Sequence, residues 1–183
     1  TKDKDKYSFL VAGHIYGAPG PSHYPAASFM ANIDKIKNSN FSFMFLLGDT
    51  IQHGFMKDRS YGVYDLKNIR KINEIEYEIF DKTIVEKLNK PIFHIPGNHD
   101  LGDEVLYKEK FGELEFSFKN KSEAFININT SALCMGKNSI FTSKLDSYAK
   151  DKNIKNIFIM MHHVLFHINN KKIHEIKRWA SGS

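Results

Sequence analysis

The sequence predicts an α/β layered fold, with central β-sheets flanked by helices, and three patterns carry that expectation. Short, near-continuous apolar runs recur along the chain, the pattern of strands buried on both faces. Longer amphipathic stretches with helical spacing separate them. Two adjacent segments after residue 112 instead alternate apolar with polar residues, which reads as a hairpin with one wet face.

Tyr7-Ser8-Phe9-Leu10-Val11-Ala12 reads as the first strand and ends at Gly13-His14-Ile15-Tyr16-Gly17. Residues 25–37 put Phe29, Ile33 and Ile36 at helical spacing, as a crossover helix should. Phe43-Met44-Phe45-Leu46-Leu47 is the second strand, ending at Gly48-Asp49-Thr50. Residues 65–88 set Ile69, Ile72, Ile75, Ile79, Phe80, Ile84 and Leu88 on one stripe, with an interruption expected near Asp81-Lys82. Ile92-Phe93-His94-Ile95 is the third strand, cut off by Pro96-Gly97 ahead of Asn98-His99-Asp100.

A short helix is expected over residues 103–110, where an acidic start favours the amino terminus. The hairpin takes residues 113–118 and 123–128, and a helix over 141–150 is expected to cap near Thr142 or Ser143. Ile157-Phe158-Ile159-Met160-Met161 is a fourth apolar strand, ending at His162-His163. Side by side in one sheet, the four apolar strands would gather His14, Asp49, Asn98, His99 and His162 on a single rim. The carboxyl ends of strands are where open α/β sheets bind their ligands.

Bulk properties narrow the class. At 183 residues the chain fits one domain, residues 1–183, with one core. A 42% hydrophobic and 26% charged composition excludes a disordered segment. No run of about eighteen apolar residues exists, so no transmembrane segment is expected. The single cysteine, Cys134, excludes an internal disulfide and reads as a small buried apolar residue. The formal charge is +5, and its densest patch, Lys171, Lys172, Lys177 and Arg178, reads as a solvated helix face. No nucleic-acid motif accompanies it.

Residues 1–6 alternate Lys with Asp and read as a mobile tail. The chain closes on Ser181-Gly182-Ser183 with no final strand, so a C-terminally incomplete domain is expected. A cytoplasmic protein, or one exported after loss of a leader, fits equally. Oligomeric state is not legible.

Amide and carboxylate oxygens suit hard divalent cations, and imidazole binds transition metals or carries a proton. Taken singly, His14 is as readily a turn histidine as a ligand, and Asp49 as readily a cap. Asn98, His99 and Asp100 together are costly to bury without partners. His94 reads as a satisfied core residue, and His23, His167 and His174 as loop or surface residues. Contact with substrate or orientation of the site is the minority reading for His163, as is standing in for a missing ligand for His53.

Ala12-Gly13-His14, Gly48-Asp49-Thr50 with Gly54, Gly97-Asn98-His99-Asp100 and Met161-His162-His163, in this order, resemble the motif blocks of the calcineurin-like metallophosphoesterases. The hairpin fits the segment that those enzymes place between the third and fourth blocks. The resemblance implies a layered metallophosphoesterase-like fold and hydrolysis of phosphomonoesters or phosphodiesters. It implies one or two divalent metal ions, Mn, Fe, Zn or Mg, and a phosphorylated small-molecule or polymer substrate. In such enzymes Asp49 would bridge two metals, His14 would hold the first, and Asn98 with His162 would hold the second. His99 would protonate the leaving group, with Asp100 holding its ring.

The chain departs from the pattern twice. Ala12 stands where the family has an aspartate, and no closing Gly-His-x-His block is present. These departures raise the alternative of a phosphoesterase-like binding or scaffold module with little catalysis.

Overall fold

The computed structural model describes residues 6–17, 23–52, 66–131 and 139–163. Strands β1 (Phe9–Ala12), β2 (Phe43–Leu46) and β3 (Ile92–His94) form a parallel sheet in that order. The register sets Phe9 beside Phe43 and Phe45 beside Phe93, so one face of this sheet is aromatic. Leu10, Met44, Leu46 and Ile92 alternate onto the other face. All four β2 residues are buried, which is why its sequence runs apolar without a break.

The fourth apolar strand corrects the single-sheet expectation. β4 (Phe116–Asn120) and β5 (Glu123–Asn127) make the antiparallel hairpin, and β6 (Asn156–Met160) pairs parallel to β5 in a second sheet. An unbroken apolar run shows that a strand is covered on both faces, not which neighbour it pairs with. Phe118, Phe125 and Phe158 line the inner face of the second sheet and meet the phenylalanines of the first. The Phe9 ring packs edge-on against Phe125 at 5.3 Å and Phe158 at 5.2 Å, a geometry that adds roughly 1 kcal/mol per pair beyond burial.

Helices cover both outer faces, giving a helix–sheet–sheet–helix stack. The helix expected over 25–37 is two pieces, α1 (Ala27–Met30) and α2 (Ile33–Asn38). At the break, the Asn32 side chain donates to the Ser28 carbonyl at 2.8 Å, competing with helix bonding. α3 (Leu66–Phe80) runs into a π-helical turn, Asp81–Val85, and then α4 (Glu86–Leu88), so the stripe is interrupted where the sequence places it. Phe80, Ile84 and Leu88 all stay on the core through that turn.

α5 (Glu104–Phe111) is capped by Asp103, whose carboxylate accepts the Leu106 amide at 2.9 Å. α6 (Phe141–Lys150) packs on the second sheet. Its cap is neither Thr142 nor Ser143. Ser139 Oγ accepts the Phe141 amide at 3.2 Å, Glu115 accepts the Ile140 amide at 2.9 Å, and Ser143 Oγ donates back to the Ile140 carbonyl. The anchoring carboxylate comes from before β4, a relation that local sequence does not carry.

Candidate active site at the strand ends

The loops that follow β1, β2 and β3 meet backbone to backbone. The His14 amide donates to the Gly48 carbonyl at 2.9 Å and the Tyr16 amide to the Asp49 carbonyl at 3.2 Å. Gly48 has φ +81°, and a Cβ there would run into the Gly97 backbone. A Cβ on Gly97 would collide with the amide and carboxylate of Asp49. Both motif glycines are therefore required by the approach of one loop to the other.

That approach sets three side chains around one point. Asp49 is buried, and its Oδ2 lies 3.0 Å from His14 Nδ1 while its Oδ1 lies 3.4 Å from His162 Nε2. One ligand atom from each of His14, Asp49 and His162 lies within 4.8 Å of the others. The His162 ring has a fixed tautomer, because Nδ1 donates to the Leu47 carbonyl at 2.7 Å and leaves Nε2 as the lone-pair nitrogen. His14 (φ 58°) and Asp49 (φ 55°) both hold left-handed backbone, which costs non-glycine residues roughly 1 kcal/mol or more each. Two of the three converging residues therefore carry backbone strain, as Asn89 and Lys121 do elsewhere in the chain.

His14 and His162 thus reach different oxygens of one carboxylate, the residue that the resemblance sets between two metals. His162 arrives from the second sheet, through the loop after β6. Asn98 sits half-buried in the turn between Gly97 and His99, two residues whose amides bond carboxylates of this site.

Asp100 does not hold the His99 ring as expected. Its carboxylate accepts four backbone amides: Asp49 at 2.7 Å, Gly97 at 2.7 Å, Thr50 at 2.9 Å and Ile51 at 3.3 Å. It clamps the β2 loop onto the β3 loop. Burial pushes this carboxyl up to about 7, the amide bonds pull it down, and the Asp49 charge pushes it further up. The His99 ring is held instead by the Gln52 carbonyl, which accepts from Nδ1 at 2.5 Å, and the His99 amide donates to Asp49 Oδ1 at 3.1 Å. A backbone carbonyl orients an imidazole as well as a carboxylate does, and only the fold reveals which is within reach.

His94 is the buried core residue that its mid-strand place suggests. Tyr107 donates to the His94 carbonyl, so His94 Nδ1–H donates to the Tyr107 oxygen at 2.9 Å and Nε2 accepts from Thr50 Oγ1 at 2.5 Å. Burial pushes His94 down to about 3, so it stays neutral. His163 hangs on Thr130, donating from its amide at 2.8 Å and from Nδ1 to the Thr130 carbonyl at 3.0 Å. Burial and the neighbouring His162 lower its affinity for a proton. His23 lies in a loop, as its sequence context suggests, where it is half-buried and approaches Glu76 at 3.2 Å.

Sequence reasoning passed over Thr130 and Gln52, and it leaves Tyr16 equally open to the pocket and to loop packing. The Tyr16 ring lies 4.5 Å from His14 and 4.9 Å from His99, centre to centre. Burial and the Asp49 charge raise its hydroxyl above the ordinary value, so it remains a neutral phenol. Its position two residues past His14 is the one available signal. His53, Gly54, Cys134, His167, His174, the tail at 1–6 and the basic patch at Lys171, Lys172, Lys177 and Arg178 lie largely or wholly outside the described residues.

No helix among the described residues is long and apolar enough to cross a membrane. No curated protein matches the chain. The family model for calcineurin-like phosphoesterases matches residues 22–180, beginning beyond β1 and His14. Members of that family hydrolyse phosphoesters with the help of metal ions, and the convergence of His14, Asp49 and His162 agrees with such use. With most of its length matched, this chain belongs to the calcineurin-like phosphoesterase family.

Proposed function

We propose that this protein hydrolyses phosphomonoesters or phosphodiesters at the strand ends, using a divalent ion held by His14, Asp49 and His162, with Asn98 as a further ligand. One observation carries the reading: a single buried carboxylate meets imidazoles delivered by both sheets. The donor set fits a cation. Two imidazole nitrogens with one carboxylate favour Zn, Fe or Mn over Mg, whose preference is for oxygen. When bound, such an ion withdraws charge from phosphoryl oxygens and eases loss of a proton from water.

The protein's own residues supply the rest. His99, oriented through its Nδ1–H bond to Gln52, gives a proton from Nε2 to the leaving oxygen as the phosphorus–oxygen bond breaks, and water supplies the new bond. Asp100 acts at a distance from the reaction by holding the two loops together. His163, fixed by Thr130, lines the site beside His162 and is suited to a phosphoryl oxygen contact.

The test is hydrolysis of aryl and alkyl phosphates with Mn²⁺ or Zn²⁺ added. His99→Asn should retain metal and lose on the order of 10²-fold or more on alkyl esters, with a smaller loss on aryl esters that leave without help. Equal losses on both would remove the proton-donor role.

The second reading, a binding module on the same fold, rests on Ala12. It ends β1, and its methyl packs against the apolar cluster of Leu46 and Phe80, so no carboxylate reaches the site from there. Metal binding without turnover on any of these esters would favour it.

A further inference from the structure

We propose that Tyr16 is a positioning residue, with its ring wedged between His14 and His99 so that metal-holding and proton-donating imidazoles keep one fixed relation. This rests on the hydrolytic reading above and adds a residue to it. The contacts are direct: the Tyr16 ring centre is 4.5 Å from that of His14 and 4.9 Å from that of His99, tilted by 44° and 33°.

His14 needs such support more than the other converging residues. Its side chain is 64% exposed, against 10% for His162 and 2% for Asp49. No carbonyl among the described residues pins its ring in the way that Leu47 pins His162. Among the described residues the polar partner of its ring is Asp49, the group with which it would share an ion. An imidazole so open to water has several rotamers to choose from, and an aromatic face on one side removes most of that freedom.

Tyr16 is itself well anchored. Its amide donates to the Asp49 carbonyl, and it forms an isolated antiparallel bridge with Pro25. The Ala26 amide donates to the Ile15 carbonyl at 2.7 Å, tying the same segment to the start of α1. The ring is therefore carried by backbone fixed at two points, and it transmits that order to both imidazoles.

Three variants separate the ring from its hydroxyl and from simple bulk. Tyr16→Leu removes the flat face, Tyr16→Met fills similar space flexibly, and Tyr16→Phe keeps the ring alone. In the metal-free protein, imidazole NMR signals of His14 and His99 should both move in Tyr16→Leu while those of His162 stay. Tyr16→Phe should restore them. In Tyr16→Leu, kcat on an alkyl phosphate should fall about tenfold and Zn²⁺ affinity about threefold, less than loss of the His14 ligand would cost, with KM changed less than about twofold.

Tyr16→Met is expected to fold and to behave like Tyr16→Leu, which guards the test against a variant that unfolds. Signals of only one imidazole moving, or Tyr16→Phe failing to restore what Tyr16→Leu lost, would overturn the wedge. If the parent protein hydrolyses no ester, the NMR shifts and Zn²⁺ affinities still decide the matter of Tyr16 by themselves.

Discussion

Asp100 Oδ2 accepts the backbone amide of Asp49 at 2.7 Å, so one buried carboxylate sets the position of another. The same oxygen takes the Gly97 amide, and Oδ1 takes those of Thr50 and Ile51. From the other side, Tyr77 donates to the Asp100 carbonyl at 2.9 Å, anchoring the turn to α3. Two loops from neighbouring strands are thereby held at the separation that their glycines permit.

Asp100→Asn should therefore damage the site without touching a ligand. The amide keeps one acceptor oxygen and turns an NH₂ toward backbone N–H groups, leaving buried donors unpaired. Loss of about 3 kcal/mol in denaturant unfolding is expected, together with weaker metal binding. Near-native stability with intact metal affinity would show that the clamp is dispensable.

The two histidines around Asp49 should differ in weight. His162 is nearly buried, with its tautomer fixed by Leu47, whereas His14 is exposed and packed on Tyr16. Preorganised ligands lose less freedom on binding. His162→Ala should weaken Zn²⁺ or Mn²⁺ binding by about 10²-fold and His14→Ala by about tenfold, read by titration calorimetry. Calorimetry of the unaltered chain should give close to one ion per chain, since Ala12 brings no carboxylate to a second position. The reverse order of the two histidines would contradict the geometry.

Much of this arrangement is written locally. The run Phe43 to Leu47 announces a strand covered on both faces, and Gly97-Asn98-His99-Asp100 announces a tight, polar turn. The interruption at Asp81 is visible as a break in the apolar stripe. What stays hidden depends on contacts distant in sequence. β6 pairs with β5 because the hairpin offers it an edge, and its apolar run is the same whichever sheet it joins. Asp100 reads as a partner for adjacent His99, yet its acceptors are claimed by amides some fifty residues earlier. The carbonyl of Gln52 carries no trace in its side-chain identity that it will hold an imidazole.

His94 gives the fold a pH dependence that can be isolated. Its neutral ring sits between Thr50 and Tyr107, is stacked 4.1 Å from Phe111 and also packs near Phe80, and Lys110 on α5 adds its positive charge to the effect of burial. The folded value is about 3 and the ordinary value is 6.5. Between these, the unfolded chain takes up a proton that the folded protein refuses, so stability falls as pH falls below about 6.5. Asp100 works in the opposite direction, because its folded value is raised, and its contribution grows as pH falls. A comparison of the unaltered protein with His94→Gln cancels Asp100 and every other shared group. The variant should be less stable at pH 7, and its deficit should shrink by about 2 kcal/mol on going to pH 5. Parallel stability curves for the two proteins would mean that His94 gains a proton without cost, contrary to its burial.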